Sequence, residues 1–239
     1  MVKKSANEKR VVRWSYSAWS QFHKCAFAFY RKFVCGDKDT STSYALERGI
    51  TLHKQQENYL RGEITGLPRT FLPFKREYIA LKKQQPIVEK FWGVDHTWKS
   101  VQYGSWVVFK MDAAVPPNKR IGMDSLWIQD LKTGREYDTH AKQASLGAVI
   151  GARQYPDIAQ VEVEFWYIDQ GIIRQYHFDK AELTEEQEFW TEEGERLLTP
   201  QKKYLPNPSE ENCKYCFLRS DKGGPCDAWK KIKQARKGR

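Results

Sequence analysis

Nothing among the 239 residues resembles a membrane anchor. No apolar run approaches the ~20 residues a spanning helix requires, and the charged opening segment is not followed by the apolar stretch of a secretory leader. The expectation is a cytoplasmic protein without a membrane partner. Acidic residues fall short of basic ones, 30 against 40, which leaves a formal charge of +10. An excess of this sign suits a polyanionic partner, because lysine and arginine displace the counterions condensed on phosphates; the plain alternative is a solvated basic surface. Part of the excess sits at the ends, in Lys3, Lys4, Lys9 and Arg10 and in Lys230, Lys231, Lys233, Arg236, Lys237 and Arg239. Those runs read as loose tails that aid non-specific attraction. No G-x-x-x-x-G-K-[ST] loop is present, so an ATP-driven motor of that type is excluded. Five cysteines is an odd number for a chain without a leader, which disfavours a disulfide framework and favours metal ligation.

What the chain does have is apolar material. Hydrophobic residues make up 40% and aromatics 14%, with nine tryptophans, enough for one α/β core with appendages. From Ser17 to about Phe33, Trp19, Phe22, Ala26, Phe29 or Tyr30, and Phe33 recur at helical spacing, with Ser17 placed as the cap. A second helix is predicted from Tyr44 to Leu60, stopping at Gly62, and a short one from Glu77 to Lys83. Strands are predicted over 106–115, 125–133, 161–169 and 172–178, with Asp169-Gln170-Gly171 as a hairpin turn. A helix over 138–151 crosses between the second and third of these. Thr184 and Gln187 have capping-box spacing at the start of a charged helix reaching Leu198. Trp14, Tyr16, Trp92 and Trp98 suit either base stacking or, more simply, core packing.

The chemistry concentrates on two predicted strands. Asp130 and Lys132 are two apart, so they project from one strand face while Leu131 packs on the other. Asp112 lies on the preceding strand. Phosphodiester hydrolysis needs carboxylates to hold Mg²⁺ or Mn²⁺ and a cation near the reacting oxygens, and these three residues supply both. An ordinary ion pair on a strand face is the bland alternative. Gly49 and His53 fall one turn apart on a helix, where a glycine would allow close approach to the sheet and His53 could reach an ion or phosphate. Glu57 follows one turn later.

In order, Ser15 to Cys25, Gly49 to His53, Lys110-Met111-Asp112 and Asp130-Leu131-Lys132-Thr133-Gly134 resemble the RecB-like branch of the PD-(D/E)XK nuclease superfamily. The resemblance implies an α/β fold of restriction-endonuclease type, a central mixed sheet flanked by helices. It implies that His53, Asp112, Asp130 and the carbonyl of Leu131 hold the ion and that Lys132 is catalytic. Gln143 stands where the family's Q-x-x-x-Y glutamine belongs, although Gly147 replaces the tyrosine. Cys25 with Cys213, Cys216 and Cys226 resembles the iron–sulfur staple of AddB and CRISPR-associated exonucleases. On that resemblance a [4Fe–4S] cluster pins the C-terminal segment to the first helix, with Zn²⁺ as the rival ligand. Ala26 stands where a proline commonly follows, and the last cysteine gap is longer than usual. Cys35 has no evident partner.

The implied organisation is a basic segment over 1–13, a nuclease core over 14–199, a cysteine-rich segment over 200–229 and a basic tail over 230–239. The implied activity is metal-dependent DNA cleavage, as an exonuclease on ends or single strands in recombination, repair or replication. The rivals are a CRISPR spacer-processing nuclease and a non-catalytic DNA-binding relative. A helicase, annealing protein or integrase would be the protein partner. Oligomeric state has no signature here.

Overall fold

The computed structural model describes residues 13–40, 43–118 and 123–237. The chain divides into two units, Met1–Ser41 with Glu193–Arg239, and Thr42–Glu192. Apart from Arg13, the basic opening segment lies outside the described residues. No described helix is long and apolar enough to cross a membrane.

The first unit opens with β1 (Trp14–Ser15), α1 (Tyr16–Lys24) and α2 (Ala26–Phe29), then a π-wound turn over Tyr30–Val34. The apolar spacing predicts one continuous helix here, yet the chain breaks at Cys25, which is extended at φ −164°, ψ 103°. The break is held by side chains from the C-terminal segment. Asn207 and Asn212 donate through Nδ2 to the Lys24 carbonyl at 3.2 and 3.0 Å, and Phe27 N–H donates to the Leu205 carbonyl at 3.2 Å. Ala26 is therefore the first residue of a helix, a position that accepts proline equally well. Ser17, expected as the cap, lies inside α1, and Ser15 stands at the cap position without a side-chain bond.

The second unit holds the sheet. Ser43 Oγ accepts from Leu46 N–H to start α3 (Tyr44–Arg61), and Gly62 ends it with φ 79°. After a 3₁₀ turn over Arg69–Phe74 come α4 (Lys75–Lys83), β2 (Ile87–Val94), β3 (Val107–Val115) and β4 (Ser125–Lys132). Then follow α5 (His140–Gln154), β5 (Gln160–Tyr167), β6 (Ile172–Asp179) and α6 (Lys180–Leu198), whose end passes into the first unit. Within this unit the strands run β2-β3-β4-β5-β6, with β4 and β5 parallel and the other pairs antiparallel. The parallel pair requires a crossover, and α5 supplies it. Leu52, Tyr59, Phe74 and Tyr78 cover one sheet face with Ala113, Leu131 and Trp166. On the other face α5 lies so close to β3 that a Cβ at Gly147 would fall 2.6 Å from Phe109 Cζ.

The predicted strands match four of these within two residues at each end, whereas β2 carries no clean alternation and was not expected. The capping box of α6 is a correction. Asp179 Oδ1 accepts from Ala181 and Glu182 N–H, and Glu182 Oε2 accepts from Asp179 N–H, while Thr184 lies inside the helix bonded to the Lys180 carbonyl. The same D-x-x-E spacing, five residues upstream, won because Asp179 ends a strand. Trp14, Trp92 and Trp98 are buried, so core packing rather than base stacking accounts for them.

The C-terminal part of the first unit contains α7 (Glu210–Cys213) and α8 (Ala228–Lys237). The closing basic run, expected as a loose tail, is thus mostly helical, because Trp229 is buried and Arg236 pairs with Glu210.

Candidate active site

One cleft of about 700 Å³ in the second unit is lined by His53, Asp112, Asp130, Leu131, Lys132 and Gln143, together with Glu89 and Lys110. Its members come from α3, β2, β3, β4 and α5. His53 Nδ1 lies 3.0 Å from Asp112 Oδ1, and Asp112 Oδ2 accepts the Leu131 backbone N–H at 2.7 Å. Lys132 Nζ reaches Asp130 Oδ1 at 2.9 Å and donates to Gln143 Oε1 at 2.7 Å. Gln143 Nε2 then donates to Asp130 Oδ2 at 3.1 Å, closing a triangle. Gln143 joins the site although Gly147 replaces the tyrosine of the family pattern, and the contact with Phe109 gives the reason, since no larger side chain fits at that point of α5.

The strongest cation geometry lies beside that triangle. His53, Glu89 and Asp112 offer ligand atoms within 4.8 Å of one another, the only such trio of His, Cys, Asp or Glu among the described residues. A nitrogen and two carboxylates suit a hard divalent cation, so the residues present fit Mg²⁺ or Mn²⁺. Asp130 faces the same cleft, drawn toward Lys132 and Gln143. Burial opposes a charged imidazole at His53, but the bond to Asp112 and the surrounding carboxylates outweigh it and raise its pKa. Burial also raises the Asp130 carboxyl, with Asp112 adding and Lys132 opposing.

Glu89 is the residue that sequence reading missed. Val88 pairs with Ala113 and Lys90 with Met111, which sets Glu89 across from Asp112. Its φ of 53° is unusual for a strand residue and marks backbone strain beside the site. Glu89 also pairs with Lys110. The available signal was the lone acidic residue in Ile87-Val88-Glu89-Lys90, hidden because β2 itself went unread. Glu57 lines the cleft but is engaged by Lys54 and Arg61, each at 2.9 Å.

A buried polar chain lies under the site. Tyr78 donates to Gln56 Oε1 at 2.6 Å, and Gln56 Nε2 donates to Gln129 Oε1 at 2.9 Å. Gln56 is one turn from His53 and Gln129 adjoins Asp130, so this chain ties the helix that carries the imidazole to the strand that carries the carboxylate.

The model of the PD-(D/E)XK nuclease superfamily matches residues 13–220. The chain belongs to that superfamily. A solved protein from Eubacterium rectale, named as a candidate exonuclease, is similar over 90% of this chain and 91% of its own at 12% identity, with a TM-score of 0.51. A second structure, SSO0001, covers 91% of this chain and 86% of its own at 12% identity and a TM-score of 0.40. No curated protein matches the chain.

This superfamily member has a second cluster of interest, entirely within the first unit. Cys25, Cys213, Cys216 and Cys226 line one cavity of about 240 Å³. Burial raises the Cys216 thiol, and the other three cysteines raise it further. Asn207 N–H donates to Cys25 Sγ at 3.5 Å. The long gap before Cys226 folds back on itself, with Cys226 N–H bonded to the Leu218 carbonyl at 2.8 Å and Ser220 N–H to the Cys226 carbonyl at 2.9 Å. Cys35 stands apart, paired with the Tyr30 hydroxyl.

Proposed function

We propose that this chain is a divalent-metal-dependent deoxyribonuclease, an exonuclease acting on ends or single strands in recombination, repair or replication. The observation that carries the reading is the convergence of His53, Glu89 and Asp112 beside the Asp130–Lys132–Gln143 triangle in one cleft. His53, Glu89 and Asp112 would hold the ion, with Asp130 and the Leu131 carbonyl alongside. When bound, Mg²⁺ or Mn²⁺ polarises the phosphate and acidifies a water.

Lys132 places its ammonium where negative charge builds on the phosphoryl oxygens as the bond from water to phosphorus forms and the bond to the leaving sugar oxygen breaks. Gln143 fixes both Lys132 and Asp130, so that neither turns away when the phosphate enters. Lys54 and Lys110 line the same cleft and attract the strand. Strand ends and single strands are favoured by the rim, where Leu46 is 53%, Ile50 63% and Tyr137 45% exposed. Arg135 stacks on Tyr137 at 4.8 Å. A duplex turns its sugars and phosphates outward, whereas unpaired bases offer faces that cover such side chains. The intact Asp112, Asp130 and Lys132 weigh against a merely DNA-binding relative.

The four clustered cysteines support a metal staple in the first unit. The resemblance favours a [4Fe–4S] cluster there with Zn²⁺ as the rival, and metal analysis with a visible spectrum separates the two.

Labelled linear single-stranded, linear duplex and circular DNA incubated with Mn²⁺ or Mg²⁺ test the activity. The parent should degrade linear DNA, and Asp112→Asn or Lys132→Ala should lower the rate roughly 10³-fold or more, as for loss of a group acting in the transition state. Variants that cut like the parent overturn the reading. Circular DNA cut as fast as linear overturns the exonuclease part alone.

A further inference from the structure

His140 is used by none of the chemistry above, yet it lines the cleft with Asp130, Lys132 and Gln143. It is the first residue of α5, and its Nδ1 lies 2.5 Å from the Tyr167 hydroxyl. Tyr167 is fully buried and sits on β5 directly across from Lys132. Burial pushes the Tyr167 phenol well above its ordinary range, so it keeps its proton and acts as the donor. Nδ1 of His140 then accepts, and the ring proton stays on Nε2. Among the described residues Nε2 has no hydrogen-bond partner, and it is not one of the sealed polar atoms left unpaired. It is therefore not sealed from solvent, and His140 is one of the residues that line the cleft.

The ring is well fixed. Phe165 meets it edge-on at 5.8 Å, and the face of the same Phe165 carries the Lys132 ammonium at 4.3 Å. One aromatic side chain thus orients both groups. Burial, with the charge of Lys132 adding, lowers His140 to about 4, so the imidazole is neutral at the pH where the cleft would work. A neutral N–H beside an ammonium provides direction without adding repulsion.

We propose that His140 is a substrate-binding residue, donating from Nε2 to a phosphate oxygen of the strand in the cleft, with Tyr167 as the positioning residue that fixes its tautomer. This inference rests on the nuclease reading. It makes the phosphate site three-sided, with Lys132 supplying charge, Gln143 holding Lys132, and His140 supplying a directed hydrogen bond. A glutamine side chain at 140 offers an N–H donor that does not titrate, so it distinguishes donation from bulk.

Steady-state cleavage of a labelled single-stranded oligonucleotide with Mn²⁺ provides the test, with melting curves confirming that each variant is folded. His140→Ala should lower kcat/KM roughly 30- to 100-fold, the scale of a hydrogen bond to a charged group, and His140→Gln should return it to within roughly five-fold of the parent. Tyr167→Phe should cost roughly ten-fold in the parent but almost nothing in the His140→Gln background, because glutamine has no tautomer to fix. A kcat/KM within two-fold of the parent for His140→Ala overturns the inference, as does a glutamine variant no better than alanine. So does an equal Tyr167→Phe cost in both backgrounds. A parent that does not cut, or that cuts equally well as Asp112→Asn, instead overturns the nuclease reading and takes this inference with it.

Discussion

The cleft of the second unit and the cysteine cavity of the first are both assembled from residues distant in sequence, but they are held together differently. In the cleft, each charged group already has a protein partner: Asp112 has His53 and the Leu131 N–H, and Asp130 has Lys132 and Gln143. Strand register and the buried Gln56–Gln129 bond fix those positions. Around the cysteines, four thiols line one cavity, and burial raises the Cys216 thiol, with the other three adding. The segment carrying three of them is held by backbone bonds within residues 209–226, by Arg219 on Asp221 and on the Lys214 carbonyl, and by the Asn207 and Asn212 side chains on the Lys24 carbonyl. On the function proposed above, the cleft would be a scaffold that precedes its ion, whereas the cysteine segment would owe part of its order to its ligand.

The largest effect should come from breaking the weaker of the two. Cys213→Ser or Cys226→Ser should lower the bound iron or zinc and speed tryptic cleavage within residues 200–237 by roughly ten-fold or more, because a segment that loses its metal opens locally. Asp112→Asn should leave that proteolysis unchanged. Mass spectrometry of the fragments reads both. If the serine variants resist trypsin as well as the parent, the cysteines are incidental and the contrast between the two regions disappears.

Acid sharpens the same contrast. His140 falls to about 4 from its ordinary 6.5, so below pH 6.5 the unfolded chain binds a proton that the folded chain refuses. Stability contributed by the neutral ring is complete above pH 6.5 and is lost progressively as the pH falls toward 4. Asp221 in the first unit is lowered to about 2 by its bond to Arg219, so its contribution is complete above its ordinary value and persists until the pH falls toward 2. Urea unfolding at pH 7 and pH 4.5 should show His140→Gln losing less stability than the parent, by on the order of 1–2 kcal/mol once solvent screening of the half-buried ring is allowed for. Equal acid losses in parent and variant would mean that the ring is not held neutral. Hydrogen exchange should place the difference in α5 and β5 rather than around Asp221.

Much of the second unit was legible because its strands are rich in Val, Ile, Trp, Tyr and Phe between turn signals, and α3 ends at a clear stop, Gly62. Asp112, Asp130 and Lys132 could be found since two-residue spacing on a strand puts like-facing groups together, and β3 and β4 pair with one another. Glu89 was hidden for the opposite reason. β2 has an irregular pattern of exposure, its glutamate adopts a left-handed φ, and its pairing with Asp112 exists only in the register of the sheet. His140 was hidden because its role depends on the hydroxyl of Tyr167, 27 positions later. The break at Cys25 could not be read from local spacing, which is helical throughout. It is imposed by Asn207 and Asn212, more than 180 positions away.

The smallest effect tests how closely the two faces of the cleft are set. The sequence suggested that Gly49 lets α3 approach the sheet, and the structure gives that approach a size: a Cβ there would lie 3.4 Å from Thr133 Oγ1. That is ordinary contact, so alanine fits without displacing the strand. Glycine inside a helix costs about 1 kcal/mol relative to alanine, and Gly49 lies inside α3 with a permitted backbone. Gly49→Ala should therefore raise stability by roughly 0.5–1 kcal/mol, which thermal unfolding detects as a small rise in midpoint. A fall in the midpoint would mean that α3 sits closer to Thr133 than this distance allows. The contrast with Gly147, where the same methyl group would meet Phe109 at 2.6 Å, explains why only one of these glycines should tolerate the change. At Gly147 the ring would have to move, and overpacking of that kind costs about 1–3 kcal/mol.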